Sequence, residues 1–208
     1  MPLNHRTACV VLAAGLSSRY GRPKQLATLG GKSLIQNAVD IANGSKSDYV
    51  YVVLGNKASE IMENLRLGRA QVLLNKDYRN GLSSSLRTSI RNLPQDCTEV
   101  VLMVADQPFL LSKHIDRLIN YTRRHKAPLA SLSFDGEPRN PALFSRRLFP
   151  TLMKVKGDKG AREVVRKHRS KVALIKISDP HVFVDVDTVE NLGEALRFKK
   201  KMEKNIKK

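Results

Sequence analysis

The sequence contains no tryptophan, and aromatic residues make up only 5% of its 208 positions. A surface that stacks nucleic-acid bases needs aromatic platforms, so single-strand binding has little to rest on. Two cysteines, Cys9 and Cys97, are too few for a disulfide framework. Cys9 lies inside an apolar run, where a thiol reads as a small buried hydrophobe. A reducing, cytoplasmic setting is expected. No run of 18 apolar residues occurs, which excludes a transmembrane helix, and no membrane partner is expected. The polar start Met1–His5 and the short apolar run Ala8–Ala14 do not fit a signal peptide. The five histidines (His5, His114, His125, His168, His181) lack zinc-ligand spacing. Acidic residues are the scarce charge: 19 Asp+Glu face 37 Lys+Arg, a formal net charge of +18. Such an excess attracts polyanions. It is spread through helices and a Lys-rich end, with no stacking motif, so nucleic acid is not the expected partner.

What is present is a globular composition, 41% hydrophobic and 27% charged. A chain of this length buries a sizeable core without staples. Apolar runs at Thr7–Leu12, Tyr49–Leu54, Val72–Leu74, Glu99–Ala105, Leu129–Phe134, Val172–Ile177 and Val182–Val186 read as strands. Helical patterns cover Leu34–Ala42 (opened by Ser33, closed by Gly44), Ala58–Leu67, Leu82–Leu93, Ser112–Arg124, Ala161–Lys167 and Val189–Lys200. Ser112 is the expected N-cap of its helix. Asp135–Pro141, rich in Gly, Pro and Asn, reads as a switch toward an accessory half. The alternation predicts an α/β, Rossmann-like three-layer sandwich with a mostly parallel sheet. Residues 1–198 are expected to form a single domain. Residues 199–208, with six lysines, are expected to form a basic flexible tail.

Ligands of such sheets bind beyond the carboxyl ends of the strands. Four loops meet there: Ala13–Lys24, Asn75–Ser85, Ala105–Pro108 and Asp185–Thr188. The first is long for a strand–helix connection, which typically runs about 2–6 residues. It combines small residues, whose backbone N–H groups can cradle phosphate oxygens, with Arg19, Arg22 and Lys24. That combination suits a triphosphate. It is not a P-loop, because Leu26 stands where the first glycine of a pattern ending Gly31-Lys32-Ser33 belongs. Gly15 and Gly21 do not make a dinucleotide fingerprint either. Asp106 ends a buried strand and faces the same space, as a magnesium ligand would. Asp185 and Asp187 alternate, so a strand there places both on one face. Asp187 followed by Thr188 and Glu190 reads equally as a metal ligand or a helix N-terminus.

The segment LAAGLSSRYGRPKQL, from Leu12 to Leu26, resembles the signature loop of the MobA-like nucleotidyltransferase superfamily. The nearest resemblance within it is to the molybdenum cofactor cytidylyltransferases. Further segments follow in the family's order. Asn80–Leu86 resembles its G-M-x-S-S-L, Ala105–Pro108 its G-D-Q-P, and Arg139–Phe144 its H-P-x-L-F. Gly157–Arg162 resembles its G-D-x-G-A-R, and Asp185–Thr188 its D-I-D-T. The matches span nearly the whole chain. The resemblance implies a fold of the nucleotide-diphospho-sugar transferase type. It implies that Leu12, Ala13, Ala14 and Gly15 hold base and ribose, and that Arg19 and Lys24 contact phosphates. Gly81, Ser84 and Ser85 would line the nucleotide pocket, and Asp106 and Asp187 would hold Mg²⁺. Asn140 and Arg162 would face the acceptor.

Three departures stand out: Tyr20 for the usual Met, Ala105 for Gly, and Arg139-Asn140 for Gly-His on the acceptor side. The implied reaction moves a nucleoside monophosphate from an NTP, CTP by resemblance, to a phosphorylated small molecule, molybdopterin in that family. A molybdoenzyme or its chaperone is an expected partner. Pro23-Lys24-Gln25 also resembles the methylerythritol phosphate cytidylyltransferases, so a sugar or polyol phosphate is the alternative acceptor. A scaffold that keeps the fold without turnover is another.

Overall fold

Unbroken apolar, β-branched runs must be covered on both faces, and this requirement sets the architecture. The protein is described by a computed structural model for residues 5–206. Along the chain, β1 (Thr7–Leu12) leads to a small hairpin, β2 (Thr28–Leu29) and β3 (Lys32–Ser33), then α1 (Leu34–Asn43). Next come β4 (Tyr49–Leu54), α2 (Ala58–Glu63), β5 (Gln71–Leu74), α3 (Leu82–Arg91), β6 (Glu99–Val104) and α4 (Ser112–His125). The remaining elements are β7 (Leu129–Phe134), β8 (Glu137–Ser145), α5 (Phe149–Met153), α6 (Gly160–Lys167), β9 (Ala173–Lys176) and α7 (Val189–Ile206).

One sheet has the order β5-β4-β1-β6-β8-β7-β9. Within it β8 alone runs against the others. The strand period of two sends alternate residues to opposite layers. Cys9, Val11, Val52 and Met103 pack with Ile35, Val39, Ile61, Ile115 and Leu118 of α1, α2 and α4. Val10, Val53, Leu102 and Phe144 pack with Leu86, Phe149, Leu152 and Val165 of α3, α5 and α6. This is the expected three-layer α/β sandwich. A smaller cluster of Tyr20, Leu29, Leu34, Val186 and Ala195 fixes α7 against the β2–β3 hairpin. From β1 the chain crosses to β4 on one side and later returns to β6 on the other, so the carboxyl ends of β1 and β6 form a switch point.

Several boundaries follow the sequence closely. Ser33 accepts the Gln36 N–H at 3.3 Å and opens α1, and Gly44 closes it. Others need correction. Asp135–Pro141 is no boundary: Asp135 (φ 49°) and Gly136 (φ 75°) form the tight turn between β7 and β8. Val182–Val186 is not a strand. Pro180–Phe183 forms a 3-10 turn, and Val186 makes one isolated backbone bond to Asp106 O at 2.9 Å. Val182 and Val186 are buried, but the segment joins no ladder of the sheet. Ser112 does not cap α4. Its hydroxyl donates to Ile41 O at 2.8 Å, and His114 Nδ1 takes the Leu111 N–H at 3.1 Å. The helix read as ending at Lys200 continues to Ile206, with Lys199 Nζ donating to Leu29 O at 3.3 Å. The last two lysines lie outside the described residues.

Phe144, fully buried on β8, tests whether the antiparallel strand is integral to the core. Phe144→Ala is expected to cost about 3–5 kcal/mol, read as a lower urea midpoint. A loss below about 1 kcal/mol would mean that β8 packs loosely.

Candidate active site

The loop after β1 is held in shape by a buried glutamine. Gln25 Nε2 donates to Ala13 O at 2.9 Å and Gly15 O at 3.2 Å, while its Oε1 accepts the Ser17 hydroxyl at 3.0 Å. Ser17, in the left-handed region at φ 55°, also accepts the Lys24 N–H at 3.2 Å. The backbone at position 24 is thereby fixed, and the Lys24 side chain reaches across the cleft.

There the chain brings distant groups together. Lys24 Nζ lies 2.5 Å from Asp106 Oδ2 and 2.8 Å from Asp187 Oδ1. Arg19 Nη2 lies 3.0 Å from Asp187 Oδ2. Asp106 is placed by the end of β6, and Asp187 by the entry to α7. Thr188, not Asp187, caps that helix, accepting the Asn191 N–H at 3.2 Å. Asp187 is thus free to face the cleft. Asp185 makes no contact with Lys24 and accepts Gln107 Nε2 at 3.0 Å. The absence of a strand explains why Asp185 and Asp187 have different partners.

The electrostatics are mutual. Burial works against the Lys24 charge, yet Asp106 and Asp187 outweigh it and hold the ammonium above its ordinary value. Burial likewise opposes ionised Asp187, but Lys24 and Arg19 hold it below the usual carboxylate range. The Lys24–Asp187 pair therefore persists across neutral pH. It is lost in acid only as pH falls through Asp187's lowered value, and in base only as pH rises through Lys24's raised one. Burial, reinforced by Asp106 and Asp187, pushes Asp185 up.

Two cavities share this cluster. One, of about 220 Å³, is lined by Leu12–Gly15, Lys24, Gln25 and Leu82. The other, of about 300 Å³, is lined by Asn140, Asp158–Arg162 and Asp185. Arg19, Asp106 and Asp187 border both. Of the expected site residues, Ala13, Ala14 and Gly15 line only the first cavity, Asn140 and Arg162 only the second, and Leu12 both. Gly81, Ser84 and Ser85 behave differently. Ser84 and Ser85 are buried and accept Asn75 Nδ2 at 2.8 and 3.1 Å, so they hold the turn while Leu82 lines the cavity.

A family model described as a MobA-like NTP transferase domain matches residues 9–172. The chain belongs to this family. It is a nucleotidyltransferase. Nicotine blue oxidoreductase of Paenarthrobacter nicotinovorans is 30% identical to it, over 90% of this chain and 95% of that protein. A homologue of Mycobacterium tuberculosis Rv0371c from Mycobacterium sp. strain JC1 has a solved structure with 32% identity and a TM-score of 0.83, covering 93% of this chain and 98% of that one. Rv0371c itself, solved in complex with manganese, is 27% identical with a TM-score of 0.81, over 93% and 98% of the two chains.

Nucleotidyltransferases of this family use divalent metals, and the donor set here fits one. Asp106 Oδ1 is buried and has no hydrogen-bond partner, so an acceptor stands unused beside the cleft. Among the described residues no group of three or more His, Cys, Asp or Glu side chains forms a closed metal cage. One or two carboxylates completed by phosphate oxygens and water is the arrangement expected of Mg²⁺.

Sequence reading did not single out Gln25, Asn75 and Gln107, because each is a buried polar brace whose partners are known only from the fold. Gln25→Ala removes a donor from two backbone carbonyls and is expected to cost about 1–3 kcal/mol. The loop should then be cut faster by trypsin after Arg19 and Lys24. Unchanged melting and proteolysis would show that the loop holds itself.

Proposed function

We propose that this protein transfers a nucleoside monophosphate, with CMP favoured, from an NTP to the phosphate of molybdenum cofactor, with release of pyrophosphate. The observation that carries the reading is the Lys24, Asp106 and Asp187 cluster at the junction of two cavities. A phosphate monoester oxygen of the acceptor attacks the α-phosphorus. A new P–O bond forms, and the bond to the β-phosphate oxygen breaks. Such transfers depend on positioning and charge neutralisation more than on covalent chemistry.

The residues divide that work. Backbone groups of Leu12, Ala13, Ala14 and Gly15 hold the nucleotide, in a loop braced by Gln25. Lys24 and Arg19 offset charge on the α-phosphate and the departing pyrophosphate. Asn140 and Arg162 face the acceptor. Asp106 and Asp187 would hold Mg²⁺, which supplies further neutralisation of phosphate charge when bound. The preference for CTP rests on Leu12-Ala-Ala-Gly15 and Gly81–Ser85, which resemble the cytidylyl-transferring branch. A sugar or polyol phosphate is the second acceptor class, favoured by Asn140 in the acceptor cavity where the family carries histidine.

Incubation with Mg²⁺, each of the four NTPs and either molybdenum cofactor or a sugar phosphate, with product mass and pyrophosphate release as readouts, tests both choices. The expected product is the cytidine dinucleotide of the cofactor; faster turnover with GTP or ATP overturns the CTP assignment. Lys24→Ala is expected to lower turnover about 10²–10³-fold, and Asp106→Ala further. Undiminished metal-dependent turnover in Asp106→Ala would remove that residue from the mechanism.

A further inference from the structure

Lys24 stands where phosphate contact does not require it to stand. Its ammonium is wedged between one oxygen of Asp106 and one of Asp187, at 2.5 and 2.8 Å. Mg²⁺ bonds such oxygens at about 2.0–2.1 Å, within the space the ammonium fills. Lysine and metal therefore compete for the same gap. Resting on the reading of Asp106 and Asp187 as metal-holding residues, we infer that Lys24 is an internal cation that occupies the metal position in the nucleotide-free protein, so that the metal enters with the nucleoside triphosphate and not before it.

Three observations support the exchange. First, the position is matched in charge but not in coordination. Asp106 Oδ1 stays buried and unpartnered beside the ammonium, so the site has more acceptor capacity than a lysine uses. Second, the swing is mechanically simple. The Lys24 backbone is pinned by Ser17, and its flexible four-carbon stem borders the cavity lined by Leu12–Gly15. Third, the alternatives to a concerted exchange are unfavourable. A metal entering alone would expel the ammonium into a space whose other cation is Arg19. A triphosphate entering alone would meet two carboxylates. When both enter, phosphate oxygens take the ammonium and the carboxylates take the metal, so that neither cation nor carboxylate is left without a partner of opposite charge. Arg19 is not the block, because it is largely exposed and can leave Asp187 for solvent (72% exposure).

The test measures metal binding directly. Free Mn²⁺ is followed by electron paramagnetic resonance at pH 7.5 and fixed ionic strength, with and without CTP and against a protein-free CTP blank because the triphosphate itself binds Mn²⁺, for the wild type, Lys24→Met and Asp106→Asn. Without CTP, Lys24→Met is expected to bind Mn²⁺ about tenfold tighter than wild type, the lower end of what removing a like charge does at a partly buried site. With CTP the difference should vanish or reverse. Equal or weaker Mn²⁺ binding by Lys24→Met, with Asp106→Asn still abolishing it, overturns the exchange and leaves the metal site standing. No Mn²⁺ binding by wild type or Lys24→Met, with or without CTP, overturns both.

Lys24→Met brings two carboxylates together and can weaken the fold, so a second measurement uses the wild type. Acetylation of Lys24, read by mass spectrometry against the exposed Lys76, should stay low and unchanged when Mn²⁺ is added without CTP, because the ammonium keeps its ion pairs with Asp106 and Asp187. Labelling that rises with Mn²⁺ alone overturns the proposal.

Discussion

A single ammonium group ties the site together. Lys24 is 82 residues from Asp106 and 163 from Asp187 in sequence, yet one nitrogen touches both. The three segments it joins are otherwise tied by Ala105 N to Leu12 O at 3.3 Å, Val186 N to Asp106 O at 2.9 Å, Gln107 Nε2 to Asp185 at 3.0 Å and Arg19 to Asp187 at 3.0 Å. Backbone bonds set where the loops run. The ion pairs set how closely the carboxylates approach each other, because two ionised carboxylates at this spacing repel without a cation between them. Strength and plasticity thus come from the same group. A cation can be exchanged for another cation, whereas a backbone ladder cannot be exchanged for anything.

The halves of the cleft are joined by a second device, built on glycine. Gly81 enters α3 with φ +80°, and a Cβ there would run into Asp158 and the Gly157 backbone. Gly160, at φ +60°, presses on the Leu82 side chain in the same way. Having no side chain, Gly81 cannot cap α3. Asp158 does so from the other segment, accepting the Leu82 N–H at 3.3 Å. The turn before α3 and the Gly157–Arg162 segment are therefore one mechanical unit. On the far side, Phe198 of α7 stacks on His181 at 3.6 Å and meets Phe109 edge-on at 5.1 Å. Phe109 follows Asp106 closely in sequence, so the last helix steadies the loop that carries the central carboxylate.

What the sequence made legible follows the range of the forces involved. β1, β4 and α1 are readable because their signals are local: β-branched runs, a serine cap, a closing glycine. β8 hides because Pro138 and Pro141 lie within it, and proline normally argues against a paired strand. Its stronger local signal was the Asp-Gly turn before it. Val182–Val186 shows the reverse failure, since burial without a ladder looks like a strand in sequence. The charged residues of the site were legible through motif order. The buried amides that hold them were not, because Gln25, Asn75 and Gln107 are ordinary polar residues until the fold supplies their partners. Asp187 was ambiguous for the same reason, and the Thr188 hydroxyl settles its freedom from capping.

The excess of positive charge takes on a specific role beside an acidic floor. Lys159 and Arg162 line the second cavity together with Asp106, Asp185 and Asp187, and six further Lys and Arg fall between positions 154 and 171 of the sequence. For the proposed anionic substrates these act in sequence. The outer field raises their local concentration over roughly a Debye length. The floor then opposes bare phosphate at contact distance. On the inferred exchange, an anion drawn toward the cleft reaches its base together with a cation that takes over the carboxylates from Lys24.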